Sequence, residues 1–477
     1  MGKRDKASAT ERSRARKLAK AKLDKERYSR VERGWKYRLY LTPAQEGLLD
    51  GQAHTARALW NLIHSWWLTS LEIGLTPNAE ALEVAVRQGR KDIDWLADLP
   101  AQASQQVIRH YLEAWRRRWK GIAGPPRFHG RGRCPHSVTA PQARDLNLAR
   151  VSHKFATAHL PLIGEIRLRY HRAIPTTAIV TGATVTKQGG HWMLVVKLAL
   201  MKPEPRTLVE IRPVVGYDRG VVLPLAGSDG SEFTHDPWLT SGQTRRLYRL
   251  ERSAARKREA RWACSGGKGK GRIGNNERVD YDAIAHVKAR EARRREDWQH
   301  KVAWQIASTV RIAVFEDLHL KNMTASAKGT VENPGANVAQ KAGLNRAVLG
   351  EALAALVDKV TYKLEDNGGA VARVPAPGTS TTCHRCGSIR PGQRESQALF
   401  RCRNLACGWA GNADYNAACN VLNRALAGGL IPSLFGGTPK AARSRYELET
   451  PSGDGAVRPS GPARKRESTQ APRPVAA

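Results

Sequence analysis

Four cysteines, Cys383, Cys386, Cys402 and Cys407, stand in the pattern Cys-x2-Cys, fifteen residues, Cys-x4-Cys. Two close thiolate pairs joined by a short loop are the donor set of a tetrahedral Zn2+ ion with Zn–S bonds of about 2.3 Å. Four thiolates leave no open coordination position, so one structural zinc ion is expected and not a catalytic one. Gly387 and Gly408 each follow the second cysteine of a pair and suit turns that aim backbone amides at sulfur. A second chemistry lies in three carboxylates placed where the pattern prefers apolar residues. Asp218 interrupts VVGYDRGVV, Glu316 closes RIAVFEDL, and Asp414 starts an apolar helix just beyond the cysteines. Each alone reads equally well as a strand end or a helix cap. A carboxylate taken out of water is costly unless it is paired or bound to a cation. Three hard oxygen donors that converge suit Mg2+ or Mn2+. Two such ions can activate a water and stabilise a leaving 3′-oxygen in phosphodiester hydrolysis. Asp317, Asp229 and Asp282 read as solvated.

The elements that must position these groups follow from periodicity. Residues 35–42 alternate like a strand, with Lys36 and Arg38 on one face. Helical patterns follow over 43–122; the first has a stripe of Leu48, Leu49, Ala56, Leu59, Leu62 and Ile63, the last an apolar face of Val107, Ile108, Tyr111 and Leu112. Short alternating runs between 135 and 203 predict an antiparallel barrel or sheet completed by the strand at 35–42. From residue 209 strands alternate with helices, which predicts a mixed α/β domain. It holds a strand pair around Asp218, two long basic helices over 240–310, the Glu316 strand, a helix ending at Gly368 and a strand at 370–377. Residues 1–34 form a basic arm and 427–477 a Pro/Ser/Gly/Arg-rich tail.

The chain has 477 residues with 79 Lys and Arg against 43 Asp and Glu, a net charge of +36. A chain this basic repels itself unless it meets a polyanion, with nucleic acid ahead of an anionic membrane surface. The charge is spread over every segment, which suits a long polyanion in a channel. No run reaches the roughly 18 apolar residues of a membrane span. Seven cysteines, four of them clustered, favour a reducing compartment and a metal over a disulfide framework. A cytoplasmic protein is expected.

GYDRGV, VFEDLHLKNM, TSTTCHRCG, CRNLACGW and NADYNAACNVL, in that order, resemble the RuvC-like nuclease with zinc-finger insert of TnpB proteins and the compact, Cas12-like type V CRISPR effectors. KYRLYLTPAQ, LPAQASQQVIRHYLEAW, PPRFHGRGR and LPLIGEIRLRYHR match the family's N-terminal half more loosely. The resemblance implies a multidomain α/β protein. A wedge β-barrel (35–42 and 123–205) would carry an inserted α-helical recognition domain (43–122). An RNase H-like (RuvC) nuclease (209–378 and 411–426) would carry the zinc-finger insert (379–410). It also implies an RNA-guided DNA endonuclease. Asp218, Glu316 and Asp414 would be the catalytic triad holding two Mg2+ or Mn2+ ions, and the four cysteines the zinc ligands. The partners would be a guide RNA and target double-stranded DNA, in a monomeric ribonucleoprotein with a dimer left open. Lys36, Arg38, Arg57, Gln102, Gln106, Arg109, Arg116, Arg127 and Arg385 are the candidate nucleic-acid contacts. Gln102 and Gln106, four apart on a helix, could pair with base edges. Two other classes remain open: a guided binding protein acting by occupancy, and an unguided transposase accessory protein. One departure from the family is Arg219, where many relatives have an apolar residue.

Overall fold

The computed structural model describes residues 28–130, 134, 136–140, 146–176, 178–203, 213–330 and 332–430. Its first half runs β1 (Tyr28–Tyr40), α1 (Pro43–Glu72), α2 (Ala79–Asp92), α3 (Ala101–Trp119), β2 (Ser137–Ala140), β3 (Ala149–Arg150), β4 (Phe155–Leu160), β5 (Gly164–Arg169), β6 (Ile179–Gln188) and β7 (His191–Pro203). The second half runs β8 (Val214–Asp218), β9 (Leu225–Gly227), β10 (Glu232–Phe233), α4 (Ser241–Cys264), α5 (Asn275–Thr309), β11 (Ile312–Asp317), α6 (Val338–Glu351), α7 (Leu353–Asp366), β12 (Ala370–Pro375), β13 (Leu399–Arg401), β14 (Ala410–Asn412) and α8 (Ala413–Ala427). Most of the expected arm (residues 1–27), the linker over 204–212 and the tail over 431–477 lie outside the described residues.

In the first half the strands form one antiparallel sheet in the order β2-β6-β7-β1-β5-β4-β3. β1 begins earlier than its alternation predicts. It pairs with β7 from Tyr28 opposite Pro203 to Arg38 opposite Met193, so a partner edge extends the strand into residues 28–34 of the expected arm. Trp35, Tyr37 and Leu39 are buried, while Lys36 is half-buried and Arg38 exposed, as the alternation requires. The outer strands β2 and β3 do not pair with one another, so among the described residues the sheet is open where a barrel was expected. Helices α1 and α3 instead pack against β2 at that edge.

α1 starts where its sequence says it should. Pro43 occupies the first turn, where its missing N–H costs nothing. Thr42 and Gln45 form a reciprocal capping box, with Gln45 N donating to Thr42 Oγ1 at 3.3 Å and Thr42 N to Gln45 Oε1 at 3.1 Å. The buried stripe is Leu49, Ala53, Leu59, Ile63 and Trp67; Leu48 and Leu62 face solvent, contrary to the expected stripe. Each lies one residue, about 100° of helix, from the buried Leu49 and Ile63.

The second half is a five-stranded mixed sheet, β10-β9-β8-β11-β12. β8, β11 and β12 are parallel; β9 and β10 are added antiparallel. Parallel strands are buried on both faces. Val215, Tyr217, Ala313 and Phe315 pack with α5 and α7, whereas Ile312, Val314, Ala372 and Val374 pack with α8. The single helix expected before Gly368 is broken at Ala352, which is left-handed (φ +48°) and separates α6 from α7. Gln299 explains how the break is tolerated: its Nε2 donates to the carbonyls of Glu351 and Ala352 at 3.1 and 3.2 Å. Among the described residues no helix is long and apolar enough to cross a membrane.

Candidate active site and metal knuckle

Strand parity puts two of the three carboxylates on one face. Side chains alternate along a strand. Asp218 shares parity with Val214 and Gly216, and Glu316 with Ile312 and Val314; these are the residues turned to α8. The parallel register Val314↔Gly216 and Phe315↔Tyr217 makes Glu316 and Asp218 the next, adjacent positions at the carboxyl ends of neighbouring strands. Asp317 has the other parity; it is exposed and lies 3.8 Å from Arg373.

The third carboxylate arrives on α8. That helix lies so close to β8 that a Cβ on Gly216 would stand 2.4 Å from Ala418 O and 2.6 Å from Leu422 N. Only glycine permits this approach. Asn412 caps α8, its Oδ1 accepting from Asp414 N at 2.8 Å and Tyr415 N at 3.2 Å, which sets Asp414 in the first turn.

Asp218 feels the other two charges. Burial, then the nearby Glu316 and Asp414, push the Asp218 carboxyl up to about 7. Burial also raises Asp414, offset by Arg394, whose guanidinium lies 3.3 Å away. Among the described residues the four cysteines are the one group of three or more His, Cys, Asp or Glu whose ligand atoms all lie within 4.8 Å of one another. The carboxylates are spread more widely, with Asp414 drawn towards Arg394. Three hard oxygen donors, two of which add to the proton affinity of Asp218, are a donor set that a divalent cation satisfies.

Sequence reasoning missed two further groups here, Arg394 and Thr379. No pattern in the sequence ties Arg394 to Asp414. Thr379, buried, donates its hydroxyl hydrogen bond to Glu316 Oε1; it lies in the TSTTC stretch, but no pattern ties it to Glu316. The departing Arg219 donates to the backbone carbonyl of Glu316 and places its guanidinium 5.7 Å from the Phe315 ring. It is the backbone amide of Arg219 that lowers the Asp218 carboxyl, in partial opposition to burial.

The cysteine knuckle is preformed. Cys383 and Cys407 Sγ are 3.9 Å apart, Cys386 and Cys402 Sγ 3.6 Å. A tetrahedron with four bonds of about 2.3 Å has edges of about 3.8 Å, so the thiols fit a tetrahedral metal ion. Gly387 (φ +73°) and Gly408 (φ +59°) take left-handed turns behind each pair. The knuckle closes with the antiparallel strands β13 and β14. Cys419 is buried on α8 and packs as core.

The expected nucleic-acid contacts are scattered. Arg38, Arg109, Arg116, Arg127 and Arg385 are exposed; Lys36, Arg57, Gln102 and Gln106 are half-buried. Arg57 Nη1 donates to His129 O at 3.4 Å and Arg116 pairs with Glu113 at 3.2 Å. Gln106 lines a cavity of about 260 Å3 with Arg57, Trp60, His110 and His129.

The chain is 31% identical over 334 residues to the "Putative RNA-guided DNA endonuclease InsQ" of Escherichia coli (strain K12), covering 69% of this chain and 76% of that protein. The chain belongs to the TnpB family of DNA endonucleases. A second member, a "Putative RNA-guided DNA endonuclease" of Streptomyces pristinaespiralis, is 23% identical over 412 residues, 83% of this chain and 90% of that one. The "CRISPR-associated endodeoxyribonuclease Cas12f1" of Sulfoacidibacillus thermotolerans is 47% identical over 66 residues, 14% of this chain and 15% of its own. The Cas12f1-like, TNB domain model matches residues 354–421, from α7 through the knuckle into α8. A helix-turn-helix domain model matches residues 29–63, which here are most of β1 and the first part of α1. The two domain models thus match the residues that carry the knuckle and Asp414, and those of the first strand and helix.

Proposed function

We propose that the chain is an RNA-guided DNA endonuclease. It holds a guide RNA, recognises a short motif beside the target and hydrolyses DNA at Asp218, Glu316 and Asp414. The observation that carries this reading is the arrangement of these carboxylates, two at adjacent strand ends and one on the helix packed across them. The sheet supports it further. Chain order leaves β8 towards β9 on one side and resumes at β11 on the other, so the carboxyl ends of β8 and β11 flank a topological switch point, where α/β sheets bind ligands. That arrangement suits an RNase H-like (RuvC) nuclease with the knuckle inserted between β12 and α8.

Asp218, Glu316 and Asp414 would hold Mg2+ or Mn2+, and Cys383, Cys386, Cys402 and Cys407 one Zn2+. Divalent ions bound at the carboxylates supply water activation and charge stabilisation of the leaving 3′-oxygen. The protein's own part is to hold those carboxylates oriented: Arg219 anchors the Glu316 backbone, Arg394 lies against Asp414, and Asn412 seats its turn. Cationic residues spread over both halves suit a guide–target heteroduplex held by its backbone, with sequence read by base pairing.

The test is nuclease activity of the purified chain with its copurified RNA on a matched plasmid in Mg2+. Asp218→Ala should abolish cutting and leave RNA binding intact. Cutting by that variant, or no bound RNA in the wild-type chain, would refute the assignment.

A further inference from the structure

We propose that Thr379 is a positioning residue for Glu316, and that the cysteine knuckle reaches the carboxylate site through it. The proposal rests on reading Glu316 as a cation-holding carboxylate. Thr379 is 2% exposed and Glu316 7%. The threonine hydroxyl has one proton and two acceptors within reach, Glu316 Oε1 and Ala376 O, the latter at 2.9 Å. The ionised carboxylate is the stronger acceptor. Engaging Oε1 fixes the plane of the carboxylate, and its other oxygen carries no hydrogen bond among the described residues. That is how a buried carboxylate is held ready for a cation: one oxygen is tied back to protein and the other is presented.

Thr379 is in turn held by the helix that bears Asp414. Asn420 Nδ2 donates to Thr379 O at 2.8 Å and to Thr382 O at 2.6 Å. One turn earlier, Asn416 Nδ2 donates to Thr382 O at 2.8 Å, and Asn416 Oδ1 accepts from His384 N at 2.9 Å. Asn423 Nδ2 adds a bond to His384 O at 3.1 Å. These asparagines form a stripe on one side of α8. They bind the turn over residues 379–384, which includes the thiol of Cys383, to the same rigid helix that presents Asp414. Glu316 comes from β11, and among the described residues Thr379 is the hydrogen-bond partner that links its side chain to that body. Thr379 therefore registers the strand-borne carboxylate against the helix-borne one.

The test compares Thr379→Val, which keeps the shape and removes the hydroxyl, with Thr379→Ser, which keeps the hydroxyl. Mn2+ binding is measured by calorimetry on the zinc-loaded chain, alongside zinc content, guide-RNA affinity and the Mn2+ dependence of cutting. Thr379→Val should weaken Mn2+ binding about 10- to 100-fold, the usual cost of losing a partner that orients a ligand. Zinc content and RNA affinity should be unchanged, and Thr379→Ser should recover most of the loss. Wild-type Mn2+ binding in Thr379→Val, equal loss in Thr379→Ser, or zinc loss with either variant would overturn the proposal. Asp218→Ala serves as the control: if it too binds Mn2+ as the wild type does, the carboxylate-site reading has failed and the role assigned to Thr379 falls with it.

Discussion

Asp218 bears the strongest electrostatic conflict in the site. Its carboxyl, buried and facing two others, is raised from 3.8 to about 7. In the unfolded chain it titrates near its ordinary value, about 3.9. Below that pH both states hold the proton and the residue costs nothing. Between about 4 and 7 the unfolded chain releases its proton first, so stability falls as pH rises, and above 7 the full cost persists. Asp218→Asn should therefore raise the melting temperature in chelator at pH 8 and change it little at pH 4. Saturating Mn2+ should stabilise the wild type more than the variant, because the cation relieves the repulsion. A variant that melts with the wild type at pH 8 in chelator would mean that Asp218 is not strained. The carboxylate positions themselves were legible as charges in two apolar strands and at the start of an apolar helix. Arg394 and Thr379 were not, because each meets its carboxylate across a sequence gap that no periodicity spans.

At the scale of elements, the site depends on how closely α8 approaches β8. Gly216→Ala puts a methyl group against the Ala418 carbonyl and the Leu422 amide, which are backbone atoms that cannot rotate away. The helix must shift, and overpacking of this kind costs about 1–3 kcal/mol. Gly216→Ala should lower the melting temperature and, by displacing Asp414, cut activity more than it cuts RNA binding, measured side by side. Equal melting temperatures would show that α8 is not seated as described. The strands and the long helices of this half were readable from periodicity. The break at Ala352 was not: residues 349–368 read as one helix, and the carbonyls at the break are met by Gln299 of another element.

At the scale of the molecule, the two halves meet at specific contacts. The β6–β7 turn at Gly189 and Gly190 sits against α5, where a Cβ on Gly189 would lie 2.1 Å from Ala289 Cβ. Arg33 in β1 pairs with Asp366 of α7 at 3.1 Å. Over this frame the net charge of +36 is not gathered into one arm. A chain that meets six to ten phosphates should lose about 10^3- to 10^5-fold in affinity for mixed-sequence duplex between about 50 and 200 mM salt. A titration showing a near-flat salt dependence would mean that these cations are not spent on phosphate.

The amino-acid sequence alone determined the chemistry available: a four-thiol knuckle, three misplaced carboxylates, the strand and helix periods and the polyanion-seeking charge. These are local properties, since ligand type, spacing and alternation act within a few residues. Tertiary structure decided which groups meet. Strand parity and register set Asp218 beside Glu316. The close approach at Gly216 brought in Asp414. The asparagine stripe of α8 tied Thr379 and the knuckle to the same body. Such meetings depend on chain separations of up to about two hundred residues being closed by packing, and no local pattern encodes that closure.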